Sequence, residues 1–198
     1  MKTLIILDWD DTLFPTSWII NKGIDLTDID IQNKYIVFFS KLDMIIHKLI
    51  FNMIKYGKVV IVTNAMTKWV DISSNVLPNT STLIQKHVKV ISAKDLYIKK
   101  YPQKVMLWKK LIFHRLIHEY FRYSKSYQNI ISIGDANYEY NALVSLYDKN
   151  NDSRYLKSIK FINKPTFDKL VDQLEILYRS ISNVVKKKDQ VDLVFDDI

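Results

Sequence analysis

The chain has 198 residues, 48% of them hydrophobic and 25% charged, with a formal net charge of +8 and no cysteine. That length suits one substantial domain and hardly two, and the composition is that of a soluble globular protein rather than a disordered one. Disulfides, cysteine nucleophiles and thiolate zinc sites are excluded, and no apolar run is long enough to cross a bilayer, so no membrane partner is expected. The apolar residues after Lys2 read as a strand, not as a signal peptide, and a cysteine-free chain fits an intracellular setting, cytoplasmic or nuclear. The positive charge suits an anionic partner such as nucleic acid, although lysines scattered over helix faces also serve solubility alone.

In chain order, Met1–Leu7 reads as a buried strand, and Leu13–Trp18 as an irregular turn around Pro15. From about Ile31 to Tyr56, apolar positions recur every three or four residues, which predicts one long amphipathic helix closed by Gly57. Lys58–Val62 is a second strand, Met66–Val76 a helix stopping before Pro78, and Val88–Ser92 a third strand. Pro102 is placed as the first residue of a helix running to about Tyr123. A fourth strand at Asn129–Ile133 ends on Gly134-Asp135, followed by a helix over Tyr138–Tyr147 and a polar loop over Asp148–Arg154. A fifth strand at Ile159–Ile162 and a helix over Thr166–Val185 complete the domain (1–185), with 186–198 as a charged, solvated tail. Alternation of strands and helices predicts an α/β fold, a mostly parallel sheet with helices on both faces.

The chemistry concentrates where the strands end. Leu4-Ile5-Ile6-Leu7 runs directly into Asp8-Trp9-Asp10-Asp11-Thr12. A buried strand resists ending in a cluster of acids, because like charges repel and resist desolvation; a bound divalent cation removes that objection. In open parallel sheets, active residues collect beyond the carboxyl ends of the strands. Thr63-Asn64 after the second strand and Asp135 after the fourth fall in that same region. Asp8 and Asp10, two residues apart in extended chain, point to one side, and Trp9 points away into packing. His47, His114 and His118 lie on helices without partners in pattern and read as ordinary helix residues.

The runs Leu7-Asp8-Trp9-Asp10-Asp11-Thr12-Leu13, Ile61-Val62-Thr63-Asn64 and Ile133-Gly134-Asp135-Ala136-Asn137-Tyr138-Glu139, with a lysine on the helix before the fourth strand, resemble the four motifs of the haloacid dehalogenase superfamily over about residues 3–145. The resemblance implies a Rossmann-like three-layer sandwich, Mg²⁺ and an aspartyl-phosphate intermediate. It casts Asp8 as nucleophile and Asp10 as general acid and base, with Thr63 as a donor to the phosphoryl group and Asn64 as a substrate-positioning residue. The lysine that neutralises phosphoryl charge is one of Lys104, Lys109 and Lys110, with Lys109 at the usual interval. Asp8, the backbone carbonyl of Asp10 and Asp135 form the implied metal set. Glu139 reads either as the holder of a metal-bound water or as an exposed helix acid. Asp11 matches a position where backbone conformation matters more than the side chain, and Thr12 braces the loop.

An acid at Asp10 favours a hydrolase, a phosphatase of this superfamily. The segment from Thr12 to Lys58 reads as a loop and one helix, and that from Asn64 to Lys109 as a helix, a strand and a loop. Neither leaves room for a large cap domain. An open site suits a macromolecular substrate, either a phosphoprotein or a phosphorylated nucleic-acid end. The competing readings are a non-catalytic binding or scaffold protein of the same fold, and a basic nucleic-acid-binding protein whose acids are structural.

Overall fold

The computed structural model describes residues 1–123, 128–147 and 153–196. Among them, six strands form one all-parallel sheet in the order β3-β2-β1-β4-β5-β6. The strands are β1 (Lys2–Leu7), β2 (Lys58–Thr63), β3 (Lys89–Ser92), β4 (Gln128–Gly134), β5 (Arg154–Lys160) and β6 (Val191–Val194). Helices cover both faces, making a Rossmann-like three-layer α/β sandwich. The chain starts at the centre, steps outward through β2 and β3, then returns to the other side of β1 with β4. The order therefore reverses between β1 and β4, and parallel sheets open a crevice at such a point, beyond the carboxyl ends of the strands.

Side-chain parity along β1 decides which helices it meets. Ile5 and Leu7 face one layer, built chiefly on α3 (Ile36–Ile54) and α9 (Phe167–Lys186). Leu4 and Ile6 face the other, built on α7 (Val105–Phe121) and α8 (Asn137–Val144). Both faces of β1 are buried, which is why it reads as an unbroken apolar run. Continuing the alternation puts Asp8 on the α7 side and Trp9 on the α3 side, and Trp9 is indeed packed in the α3–α9 layer.

Several boundaries differ from the sequence expectations. The single helix expected over 31–56 is two, α2 (Ile29–Lys34) and α3, separated by Tyr35, whose backbone leaves the helical region while its ring packs against Trp18, Phe38 and Phe39. Asp28 caps α2 by accepting from the amides of Asp30 and Ile31. Gly57 is not a left-handed helix cap; a Cβ there would lie 2.2 Å from the Thr3 carbonyl oxygen, so glycine is needed for close approach to β1. The Leu13–Trp18 turn continues into α1 (Thr16–Asn21). Pro102 precedes α7 rather than opening it, since Gln103 takes a left-handed φ of 61° and Lys104 is the N-cap. The strand expected at Ile159–Ile162 is β5, which starts at Arg154; its polar first half disguised it. Most of the loop expected at Asp148–Arg154 lies outside the described residues.

The charged segment 186–198 is not simply a solvated tail. Val191–Val194 pairs with Lys157–Lys160 as β6, and the Phe195 ring packs on Phe161 at 5.0 Å. Gln190 steers the return by accepting from Leu156 N at 2.7 Å and donating to Arg154 O at 3.1 Å. Lys157, buried on β5, donates to the carbonyls of Val184, Val185 and Lys187 at 2.7, 3.2 and 2.5 Å, satisfying the end of α9. Of the helices described, none is long and apolar enough to cross a membrane.

The helix α5 (Pro78–His87) follows directly on α4 (Thr67–Asn75), because Pro78 is its first residue and not only the stop of its predecessor. Its first amides are capped from another helix. Asp43, buried on α3, accepts from Asn79 N, Asn79 Nδ2 and Thr80 N at 3.0, 2.8 and 2.7 Å. Replacing Asp43 by alanine orphans two backbone donors, that of Thr80 in a buried setting, and we expect a loss of about 2 kcal/mol. Urea unfolding of Asp43→Ala against wild type measures it; a loss below about 0.5 kcal/mol would deny the cap its role.

Candidate metal and ion-pair site at the strand ends

Asp8 extends β1 by one residue, its amide donating to Ile133 O at 2.9 Å, so its position is set by the sheet. Its carboxylate is buried, 6% exposed for the residue, and meets Lys109 Nζ at 2.7 Å from Oδ1. Lys109 sits on the inner side of α7 and is 1% exposed. Its ammonium also donates to Glu139 Oε1 on α8. Glu139 is buried, not an exposed helix acid, and its Oε2 accepts from Ala136 N at 3.2 Å. Lys104 and Lys110 are exposed and take no part.

Gly134 makes this cluster possible. A Cβ at Gly134 would lie 2.3 Å from Glu139 Cγ, so any side chain at the end of β4 would drive Glu139 off Lys109. Asp135 follows directly, and carboxylate oxygens of Asp8, Asp135 and Glu139 lie within 4.8 Å of one another. Three acids therefore crowd around one lysine, which pairs with two of them. Burial raises the Asp8 carboxyl well above its usual range against the pull of Lys109, with Glu139 and Asp135 adding repulsion. Asp135 is pushed up to about 7 by burial and by the charges of Glu139 and Asp11. Burial alone would lower Lys109, but the carboxylates of Asp8 and Glu139 outweigh it and hold the ammonium protonated. A hard divalent cation suits such a set of carboxylate oxygens, and the surplus negative charge supplies the attraction.

Asp10 points elsewhere. Its carboxylate accepts from Thr16 Oγ1 at 2.5 Å, Trp69 Nε1 at 2.7 Å and Thr63 Oγ1 at 3.1 Å. Of the sequence candidates, Asp8, Lys109 and Asp135 thus form one cluster, while Asp10 and Thr63 form a second bonded pair beside it. The Thr63 hydroxyl is spent on Asp10 and also accepts from Ala65 N at 2.9 Å. Both polar atoms of the Asn64 side chain are buried without a hydrogen-bond partner, and so is the Thr12 hydroxyl, which packs and does not tie the loop. Asp11 takes the left-handed conformation (φ 53°), which an aspartate tolerates better than most residues. Its carboxylate holds Ser17 through the amide at 2.8 Å and the hydroxyl. Sequence reasoning had not singled out Thr16 or Trp69 as Asp10 partners; both come from outside the motif runs, and only the folded loop brings them in.

A cleft of about 390 Å³ opens beside Asp135, lined by Asn137, Tyr138, Asn141, Lys160 and Asn163 among others. The larger hollow, about 460 Å³ between α8 and the β5–β6 edge, contains none of these acids.

Asp135 makes the cation-free protein pH-sensitive. An ordinary aspartate titrates near 4, the folded Asp135 near 7, so between these values the folded state holds more protons and stability falls as pH rises. We expect Asp135→Asn in EDTA to be more stable than wild type by about 2 kcal/mol at pH 8, with the gap closing towards pH 4. Urea titrations at the two pH values measure this, and equal stabilities at pH 8 would contradict it. The sequence matches no family model, and neither the curated proteins nor the solved structures contain a significant match to it.

Proposed function

We propose that the protein is a Mg²⁺-dependent phosphomonoester hydrolase of the haloacid dehalogenase type, working through an aspartyl-phosphate on Asp8. The observation that carries the proposal is the buried Asp8–Lys109 ion pair beside Asp135 at the strand-order reversal. A carboxylate held by the sheet and a fixed ammonium are what phosphoryl transfer asks of a protein, namely positioning and charge neutralisation. In the proposed reaction, an Asp8 oxygen bonds to phosphorus as the ester P–O bond breaks, and Asp10 delivers a proton to the departing oxygen. Asp10 then takes a proton from water, whose oxygen attacks phosphorus, and inorganic phosphate leaves with Asp8 restored. Lys109 neutralises charge on Asp8 and the phosphoryl oxygens throughout. Thr63, whose hydroxyl turns from Asp10, and Asn64 contribute contacts to the phosphoryl group. Asp8, Asp135 and the backbone carbonyl of Asp10 would hold Mg²⁺, which would supply further positive charge at those oxygens.

Glu139 serves as the second anchor of Lys109, and keeps the ammonium aimed at Asp8. Among the described residues, two short helices and the long core-packed α3 fill the segment between β1 and β2, and short helices and β3 fill that between β2 and α7. That supports an open site and a macromolecular substrate, a phosphoprotein or a phosphorylated nucleic-acid end. The net charge of +8 is compatible with both.

The test is hydrolysis of an aryl phosphate with Mg²⁺ and with EDTA. We expect metal-dependent turnover, abolished in Asp8→Asn and reduced at least about 100-fold in Asp10→Asn. Active wild type would justify a screen of phosphopeptides and 3′- or 5′-phosphorylated oligonucleotides. Turnover unchanged by Asp8→Asn would overturn the proposal, and salt-dependent oligonucleotide affinity indifferent to that substitution would favour a nucleic-acid-binding protein.

A further inference from the structure

Two tryptophans bracket the loop after β1 against α4 in opposite senses. Trp9 leaves the loop and donates from Nε1 to Ser73 Oγ on α4 at 2.8 Å. Trp69 leaves α4 and donates from Nε1 to Asp10 Oδ1 in the loop at 2.7 Å. Ser73 Oγ donates in turn to Trp69 O at 2.7 Å, so the two contacts share one turn of helix. Phe14 fills the space between the indoles, stacked on Trp9 at 6.0 Å and edge-on to Trp69 at 6.1 Å. Trp9 and Phe14 are buried, whereas Trp69 and Asp10 are half-buried.

The hydrogen bonds divide the two oxygens of Asp10. A carboxylate oxygen accepts in two directions. Oδ1 uses both, on Thr16 Oγ1 and Trp69 Nε1, while Oδ2 has a single donor, Thr63 Oγ1. Oδ1 is therefore the anchored oxygen, and Oδ2 retains a lone pair for a proton.

We propose that Trp69 is a positioning residue that fixes Asp10 Oδ1, so that Oδ2 is the oxygen that gives its proton to the leaving group. This rests on the phosphatase proposal above. As the phosphoryl group passes from the ester oxygen to Asp8, the bonding pair of the broken P–O bond stays with that oxygen, and the Oδ2 proton joins it, so that the alcohol departs neutral. The requirement for Asp10 scales with the leaving group. An alkoxide needs the proton as it leaves, whereas a nitrophenolate departs without it.

The experiment compares Trp69→Phe with wild type on p-nitrophenyl phosphate and on an alkyl phosphate, with Mg²⁺ present. Phenylalanine keeps an aromatic ring against Phe14 and removes the N–H together with the volume of the second ring. We expect kcat/KM, which reports the step that breaks the ester bond, to fall about tenfold further on the alkyl ester than on the aryl ester, the hydrolysis of the Asp8 phosphate being common to both. Trp69→His, which keeps a ring N–H donor, should recover part of that difference. Equal losses of kcat/KM on both esters would mean a purely structural tryptophan and would overturn the inference, leaving the phosphatase proposal standing. Wild type inert on both esters would overturn the two together. Should Trp69→Phe fail to fold, the indole N–H resonances of the folded Asp10→Asn variant decide. The Trp69 signal should move while that of Trp108, bonded to Tyr101 O at 2.8 Å, stays in place; an unmoved Trp69 signal would overturn the inference.

Discussion

A lysine ammonium shared by two buried carboxylates is the constraint around which the centre of this molecule is arranged. Lys109 comes from α7, Asp8 from the end of β1, and Glu139 from α8, so one charge group ties the central strand to two helices on one face of the sheet. Removing ions from water costs several kcal/mol each, and such a cluster survives only where partners are fixed in place. The sheet fixes Asp8 through the Ile133 carbonyl, and the missing side chain of Gly134 admits Glu139. With Asp135 added, the site carries more negative charge than its lysine neutralises. A well-packed apolar crevice would be more stable, and retention of this charge surplus is the physical reason to regard the region as functional.

The fold was legible wherever burial was two-sided. β1, β2 and β4 are apolar runs ended by polar residues, and the alternation around them predicted the parallel sheet. Elements stabilised by polar contacts escaped notice in whole or in part. α5 depends on Asp43, an acid on another helix, and β5 begins with Arg154 and Tyr155 and buries Lys157 through its ammonium. β6 has only four residues and follows a charged run. In each case the stabilising partner is distant in sequence, so local patterning does not carry the signal.

The candidate site divides in the same manner. Asp8, Asp10, Thr63 and Asp135 could be singled out because strand ends are recognisable and parallel sheets gather them. Among the three lysines of α7 and its cap, spacing favoured Lys109, and burial separates it from the exposed Lys104 and Lys110. Trp69 and Thr16 could not be found in this way. Their contacts with Asp10 depend on the tight path of the loop, in which Trp9 O accepts from Leu13 N and Phe14 N and Asp11 turns left-handed.

The pairing of β1 with β4 also bears on the order in which loop-closure entropy favours assembly. Lys2 to Leu7 align with Gln128 to Ile133, so the central contact of the sheet joins the two ends of a long intervening chain. The half containing β1, β2 and β3 closes shorter loops, and loop-closure entropy delays the longer one. On that order Asp8 and Asp135 meet at the longest of these closures, and their repulsion is faced by a sheet already half built.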